Sequence, residues 1–573
     1  MRLIIILIAS FALTLTASAA TINVPGDYPT IQEAVDAASD GDEIVVAPGA
    51  YTSTQDGHVV DMKGKAITLR ASGTPEETII DGQDARRGIA CVSGETDATV
   101  IEGFTITNGL GVDYDYNGDG DYDWWEDHGG GILCSQSNPT ITDCVIQGNE
   151  SSGYGGGINC IRCNPTITDC VIQGNESLER GGGISCYNSN ATITDCVIRV
   201  NESSDRGGGI YCGENSHPTI ADCTILSNTS DLYGGGIYCR DYNSSNPTIT
   251  GCIIMGNTAT ERGGGISFAS SSPAITNCSI TGNTANVGGG IHCIGWSSGN
   301  SDPVITGCMI TSNSADYSGG GIYCAEHTNP TITECVISGN TAPNLGGGIS
   351  CFFSNPSITN CSITNNTADG SGGGIICWSS PTTITGCVIS GNTAQEGGGG
   401  IYSDDPMTVT NCTVMGNTAD VGGGIYNIYG NLTIIGGTIA VNDARIGAGI
   451  FCPYHPTTII GCVVTGNTAI QYGGGIYSFS GGPALAETTI CGNAPDQIYE
   501  DWIDMGGNTV ADACPYCPGD ATGDGSVNVN DVLYVLSVWG SNDPDADFNE
   551  DGLVDADDVL ILLSHYGVEC GTM

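Results

Sequence analysis

The sequence predicts an all-β fold: a right-handed parallel β-helix of about 14 or more coils, closed by a small α-helical module. Three observations predict it. A glycine-rich unit repeats through the chain, each unit holds three short β-like pieces, and two acidic loops centred on glycine follow the last unit.

The repeat comes first, because a fixed period decides the architecture. One unit reads "GGGISCYNSNATITDCVIRVNESSDR" and another "GGGIICWSSPTTITGCVISGNTAQEG". The Ile that closes the glycine run recurs fourteen times from Ile132 to Ile476, mostly 24 to 29 residues apart with one interval of 31. The three β-like pieces are the Ile-x-Cys segment, "PTIT" and "CVI". Apolar and polar residues alternate over so few positions that each suits a strand of three to five residues, and the Gly, Asn and Asp clusters between them suit turns. Helical repeats need 3.6-period runs that are missing, and propeller blades use longer units. A recurrent Asn, from Asn149 to Asn493, lines one turn, where stacked amides can bond from coil to coil.

Ahead of the repeat, residues 1–20 read as a secretory signal: one Arg, an apolar run and Ala17-Ser18-Ala19 as cleavage site. No later segment is long and apolar enough for a bilayer span, so the expectation is a secreted or cell-surface protein without a transmembrane anchor. "TIQEAVDAA", about residues 30–38, is an amphipathic helix capped by Thr30, read as a lid over the first coil. Net charge is −50, from 63 acidic residues against 13 Lys+Arg, which excludes nucleic acid as a partner and favours divalent cations. Only 13% of residues are charged and 88 are glycine, so this is a compact repetitive chain and not an acidic tail.

These repeats and the opening "YPTIQEAVDAASDGDEIVVAPGAY" resemble the pectin-lyase-like superfamily over residues 21–512. The resemblance implies the fold more firmly than an activity, since the superfamily holds lyases, hydrolases and esterases. A lyase needs acidic calcium ligands beside a basic side chain. Arg180, Arg206 and Arg262 each precede a glycine run at equivalent turns and so read as ordinary solvated repeat positions. A polygalacturonase-like site would need more than Asp404-Asp405, the one matching pair. The expectation is polysaccharide or cell-surface glycan binding, with an extracellular polysaccharide lyase or glycoside hydrolase as the alternative and no catalytic residue assigned. Binding is assigned to the position between Ile and Cys, which alternation turns outward: Tyr211, Tyr238, Tyr323, Tyr402, Tyr426 and Tyr477, with Phe451 and His292 in the same column.

Of the 28 cysteines, 25 lie within residues 21–512, many in two columns. Partners such as Cys160 with Cys170, or Cys351 with Cys361, are either disulfides across the coil or members of a buried thiol ladder.

Two calcium-loop patterns follow residue 513. Asp520, Thr522, Asp524, Ser526 by its carbonyl, Asn528 and Asp531 form the first, and Asp547, Asn549, Asp551, Leu553, Asp555 and Asp558 the second. Calcium takes six to eight oxygens, which a Gly-centred loop supplies from alternate residues. Apolar helical patterns follow at Val532–Trp539 and Val559–Tyr566. The pair resembles a type I dockerin domain, an EF-hand-like module over residues 513–573, which implies Ca2+-dependent folding and a cohesin-like partner. The Ser-Thr pair frequent in that family is replaced by Val529-Asn530 and Ala556-Asp557. Cys517 and Cys570 could clasp the module, leaving Cys514 over. A third loop of the same pattern interrupts the repeat as an insertion at about residues 109–128. It offers Asp115, Asn117, Asp119, Asp121, Asp123 and Glu126 to calcium, and Trp124 and Trp125 to a ligand.

Overall fold

The structure is a computed structural model that describes residues 19–111, 127–240, 245–295, 301–479, 481–514, 519–522, 527–549, 552–564 and 566. The signal segment, the insertion residues Asp115 to Glu126 with Trp124 and Trp125, and Asp524, Ser526, Asp551, Cys517 and Cys570 lie outside the described residues.

The chain winds into a parallel β-solenoid of about 17 turns. One coil shows the plan. Ile184–Tyr187 lies in the first sheet, Thr192–Thr194 and Val197–Arg199 in the second, and Glu202–Ser203 in the third, before Gly207 to Gly209 lead into Ile210 of the next coil. Every strand pairs in parallel with its equivalent one coil on: Ile184 with Ile210, Ile193 with Ile220, Ile198 with Ile225. The first sheet stacks 17 strands and the third 14. At about 4.8 Å per rung the rod is about 80 Å long.

This coil therefore has four strands where three were expected. Its additional one is two residues long, too short for its alternation to stand out, although the equivalent strand reaches five residues at Ser314–Ser318. The corner inside the second sheet is made by a residue at positive φ, such as Asp195 (54°) or Asn277 (54°), with Gly251 (65°) in the same place elsewhere. Asp, Asn and Gly tolerate this left-handed conformation best. In the glycine run, Gly207 has φ +68°, and a Cβ on Gly209 would stand 2.6 Å from the Gly236 carbonyl oxygen. Two constraints thus keep the run glycine: backbone sign at its start and close passage of the next coil at its end.

The interior is a continuous column running from Val24 to Ile490, built of stacked Ile rows with Cys, Ala and Asn between them. The Asn row is fully buried. Asn313 Nδ2 donates to Ile280 O (2.9 Å) and Asn340 Oδ1 (3.0 Å), and Asn313 Oδ1 accepts from the backbone and side chain of Asn283 (3.0 and 2.9 Å). Among the described residues 24 cysteines are free and buried, which settles the cysteine question in favour of thiols for Cys160, Cys170, Cys351 and Cys361. Cys361 shows their bonding: its Sγ donates to Thr359 O (3.3 Å) and its N–H donates to Cys387 Sγ (3.4 Å). Thr488 takes the same place near the end of the row, its hydroxyl donating to Ala486 O at 2.9 Å. The thiols act as small, weakly polar core groups. Burial pushes Cys452 up to about 11 and Cys462 up to about 12, so both are protonated at neutral pH.

Helix α1, Ile31–Ala37, closes the first coil with Ile31, Ala34 and Val35 turned inward. Thr30 Oγ1 accepts from the Glu33 N–H at 3.2 Å. Lys65 Nζ donates to the carbonyls of Val35, Asp36 and Ala38 (2.6–2.9 Å), placing a cation at the negative end of the helix. At the other end Cys514 is not left over: it is bonded to Cys491 of the last full coil. Beyond it, α2 (Val529–Ser537) and α3 (Ala556–Ser564) pack on a separate small core of Val527, Val535, Val554 and Leu562. Each helix starts about three residues before its expected position. Asn528 caps α2, accepting from Asn530 N at 2.8 Å, and Asp531 closes a capping box.

Candidate functional site

Position on the first sheet decides what each predicted tyrosine can do. Tyr211 and Tyr238 do point away from the coil interior, yet they are only 2% and 3% exposed. The turn before the glycine run folds over them, bringing Tyr154, Arg180, Arg206 and Tyr233 into a second row above the strand. The Arg180 guanidinium stands 5.0 Å from the Tyr154 ring centre and 5.4 Å from that of Tyr211. Arg206 stands 5.2 Å from Tyr233 and 5.5 Å from Tyr238. Asp205 joins the two arginines at 3.2 Å each, and Arg180 Nη1 donates to the Tyr211 hydroxyl at 3.2 Å. These arginines are thus half-buried parts of a cation–π stack and not solvated repeat positions. Burial alone would lower the Arg180 pKa, but Tyr211, Tyr154 and Asp205 outweigh it and hold it above its ordinary value, so it is a permanent cation and unsuited to proton abstraction.

Farther along, Tyr402, Tyr426, Phe451, Tyr477 and Tyr499 stack ring on ring at 4.7 to 5.0 Å. Tyr323 stacks between His292 and Phe352 at 5.6 and 5.5 Å. Tyr323, Tyr402, Tyr426 and Tyr477 are half-buried, so they show edges to solvent and spend their faces on each other.

Sequence reasoning missed the aromatics that are exposed to solvent, although Trp378 stacks on Phe352 at 6.2 Å and Tyr429 meets the His455 ring edge-on at 6.4 Å. Phe353, Trp378, Tyr429, Tyr454 and Phe479 sit where successive strands of the first sheet end, and each is exposed, Tyr429 by 61% and Phe479 by 62%. Only the coil of Ile401 breaks the row, with Asp404 in that place. A signal was available: each ring follows the Ile of its glycine run by three or four residues. The rings lie one coil apart, about 4.8 Å of rise, except across the coil of Ile401, where the step doubles.

The C-terminal loops form the other candidate. Asp531 and Asp558 are fully buried. Asp531 accepts from Thr522 N (2.9 Å), Thr522 Oγ1 (2.8 Å) and Asn528 N (2.8 Å), and Asp558 from Asn549 N (3.2 Å) and Asp555 N (2.8 Å). Asp547 Oδ2 accepts from the Gly552 N–H at 2.7 Å. The closing carboxylate is thus drawn inside and bonded alike in both segments. The chain has no Lys or Arg beyond Arg445, so no side chain of the module offers a permanent positive charge to these carboxylates. Burying carboxylates without a cation is costly, and among the described residues no three such side chains are placed together to hold a metal ion.

The comparisons bear on the rod. Residues 130–301 and 299–494 match the family model described as a right handed beta helix region. The chain belongs to the right-handed β-helix family. No curated protein matches it. An alignment of this β-helix with the structure of the PL6 family alginate lyase AlyGC spans 86% of this chain and 98% of that one, at 11% identity and TM-score 0.23. One with the Siphovirus 9NA tailspike receptor binding domain spans 87% and 76%, at 11% identity and TM-score 0.14. Among the described residues no helix of the β-helix protein is long and apolar enough to cross a membrane.

Proposed function

We propose that the protein is an exported glycan-binding rod, attached through a calcium-folded, dockerin-like C-terminal module. The row of exposed rings Phe353, Trp378, Tyr429, Tyr454 and Phe479 carries this reading. Rings left in solvent at intervals of one or two coils, beside a polar surface, suit stacking on sugars of an extended polysaccharide. Tyr429→Ala with Tyr454→Ala lowers affinity for a bound polysaccharide about tenfold, at about 0.5–1.5 kcal/mol per ring. Affinity electrophoresis in gels containing soluble polysaccharides reads this directly; unchanged retardation of the double variant overturns the reading.

Calcium supplies the charge that the buried Asp531 and Asp558 call for. Asp520, Thr522, Asn528, Asp547, Asn549, Asp555 and the Leu553 carbonyl, with Asp524, Ser526 and Asp551, complete the two donor sets. The insertion from Asp115 to Glu126 offers a third set of the same order. Val529, Leu533 and Leu536 on α2, and Leu560 and Leu563 on α3, leave apolar stripes in solvent, which fit a cohesin-like docking partner. The alternative of a lyase or hydrolase gains no support from Arg180, which stays protonated.

A further inference from the structure

Between Tyr211 and Tyr323 the outward column of the first sheet lacks a ring at one coil. In register it runs Tyr211, Tyr238, Ser267, His292, Tyr323. The neighbouring column runs Arg240, Ala269, Ile294, so it too is small at the same coil. Two small residues side by side leave a notch one coil high, with a volume of about 30 Å³, between Tyr238 and His292. That holds about two waters or a group of roughly three heavy atoms, and is too small for a sugar ring.

The lining is chemically divided. Tyr233, Tyr238, Ala269 and Ile294 are apolar walls, and the polar groups are Arg262, Ser267 and His292. Ser267 Oγ and His292 Nδ1 are 3.1 Å apart and satisfy each other. Burial and the nearby Arg262 charge keep His292 neutral, lowering its pKa to about 3. Arg262 lies 5.5 Å from the Tyr233 ring centre, and among the described residues no carboxylate is within ion-pair distance of it, unlike Arg180 and Arg206, which share Asp205. Among the described residues the notch thus offers one set of N–H donors without a partner, facing apolar walls.

A group with one acceptor oxygen and one methyl matches both halves. A carboxylate matches only Arg262, whose fork can take both its oxygens, and brings no methyl to Ala269 and Ile294, while a polyanion would approach against a net charge of −50. We propose that this notch is a subsite for an acetyl substituent on a glycan, the carbonyl oxygen accepting from Arg262 and the methyl resting on Ala269, Ile294 and the Tyr238 ring. The assignment rests on the glycan-binding reading above and adds the kind of sugar bound.

Saturation-transfer NMR on the full chain, with N-acetylglucosamine, N-acetylgalactosamine, glucose, galactose and galacturonate as probes, tests it. The acetyl methyl protons receive at least threefold more transfer than the ring protons, and the acetylated sugars bind about tenfold tighter than their parents. Ser267→Ile fills the notch with a residue that Ile376 already places in this column, and Arg262→Met removes the donors. Each abolishes the acetyl preference while ring-proton transfer persists, and an unchanged melting temperature shows that the fold is kept. Equal binding of glucose and N-acetylglucosamine overturns the acetyl assignment and leaves the glycan reading standing, as does preference for galacturonate. Absence of transfer to every sugar, together with absence of gel retardation by any polysaccharide, overturns both.

Discussion

Single side chains set the acid limit of this molecule. His292 is buried and neutral, its pKa lowered from 6.5 to about 3 by burial and by Arg262, and His58 and His128 are each lowered to about 4 by burial. Below pH 6.5 the unfolded chain binds protons at these residues and the folded chain does not. Their stabilisation is therefore complete above pH 6.5 and is lost as pH falls toward 3 to 4, by up to about 1.4 kcal/mol per pH unit for each. His292→Phe, with Phe451 as a precedent in the same column, removes one such term. Its stability relative to the native protein shifts in its favour by about that slope between pH 6 and 4, measured by urea unfolding; parallel pH profiles would refute the buried neutral imidazole. Val200 shows a different residue-scale tension, a β-branched side chain at φ +55° where Gly148 and Gly174 stand in the preceding coils. His292 was legible in sequence as an outward position, but its burial was not, because the turn that covers this column lies one strand away in sequence.

At the scale of the element, the third sheet and the buried Asn row depend on each other. Strands as short as Glu202–Ser203 bury one side chain each, and what orders them is the Asn that precedes them. Asn313→Ala deletes two donated bonds and leaves Asn283 N–H and Nδ2 without their acceptor, a loss of about 3 kcal/mol. Equilibrium denaturation should show the midpoint fall with the slope unchanged; a loss below about 1 kcal/mol would mean that water replaces the amide. The Asn row, the Ile columns and α1 were all readable, because each repeats or carries its own cap signal. The fourth strand was not, since two residues hold too little alternation. The tyrosines were misjudged for a related reason: alternation tells inward from outward, but not whether another row lies on top.

The whole molecule joins two units with opposite needs. The rod is held by coil-to-coil hydrogen bonds and a continuous apolar core, whereas the C-terminal unit has a core of a few residues and two fully buried aspartates. Calcium should therefore act mainly on the second. With calcium at a hundred times its dissociation constant, the unfolding transition of residues 513–573 gains about 2.7 kcal/mol per site, and chelation removes it, while the rod's transition gains at most one such increment, from the insertion at Asp115 to Glu126. Calorimetry of the full chain with calcium and with chelator checks this, and a single transition insensitive to both would contradict the metal assignment. The rod was legible from its period and the two helices after it from their apolar patterns, but the bond at Cys491 was not. No repeat marks Cys491 and Cys514 as partners. That cross-link has a mechanical meaning. If the C-terminal unit is the point of attachment, a pull on it reaches the last coil through a covalent bond at Cys491 and passes by the segment between residues 491 and 514. Those residues are shielded from tension, and the load enters the stack where parallel strands share it across three sheets. A reductant would leave the folded rod unchanged at rest and lengthen the tether only under force.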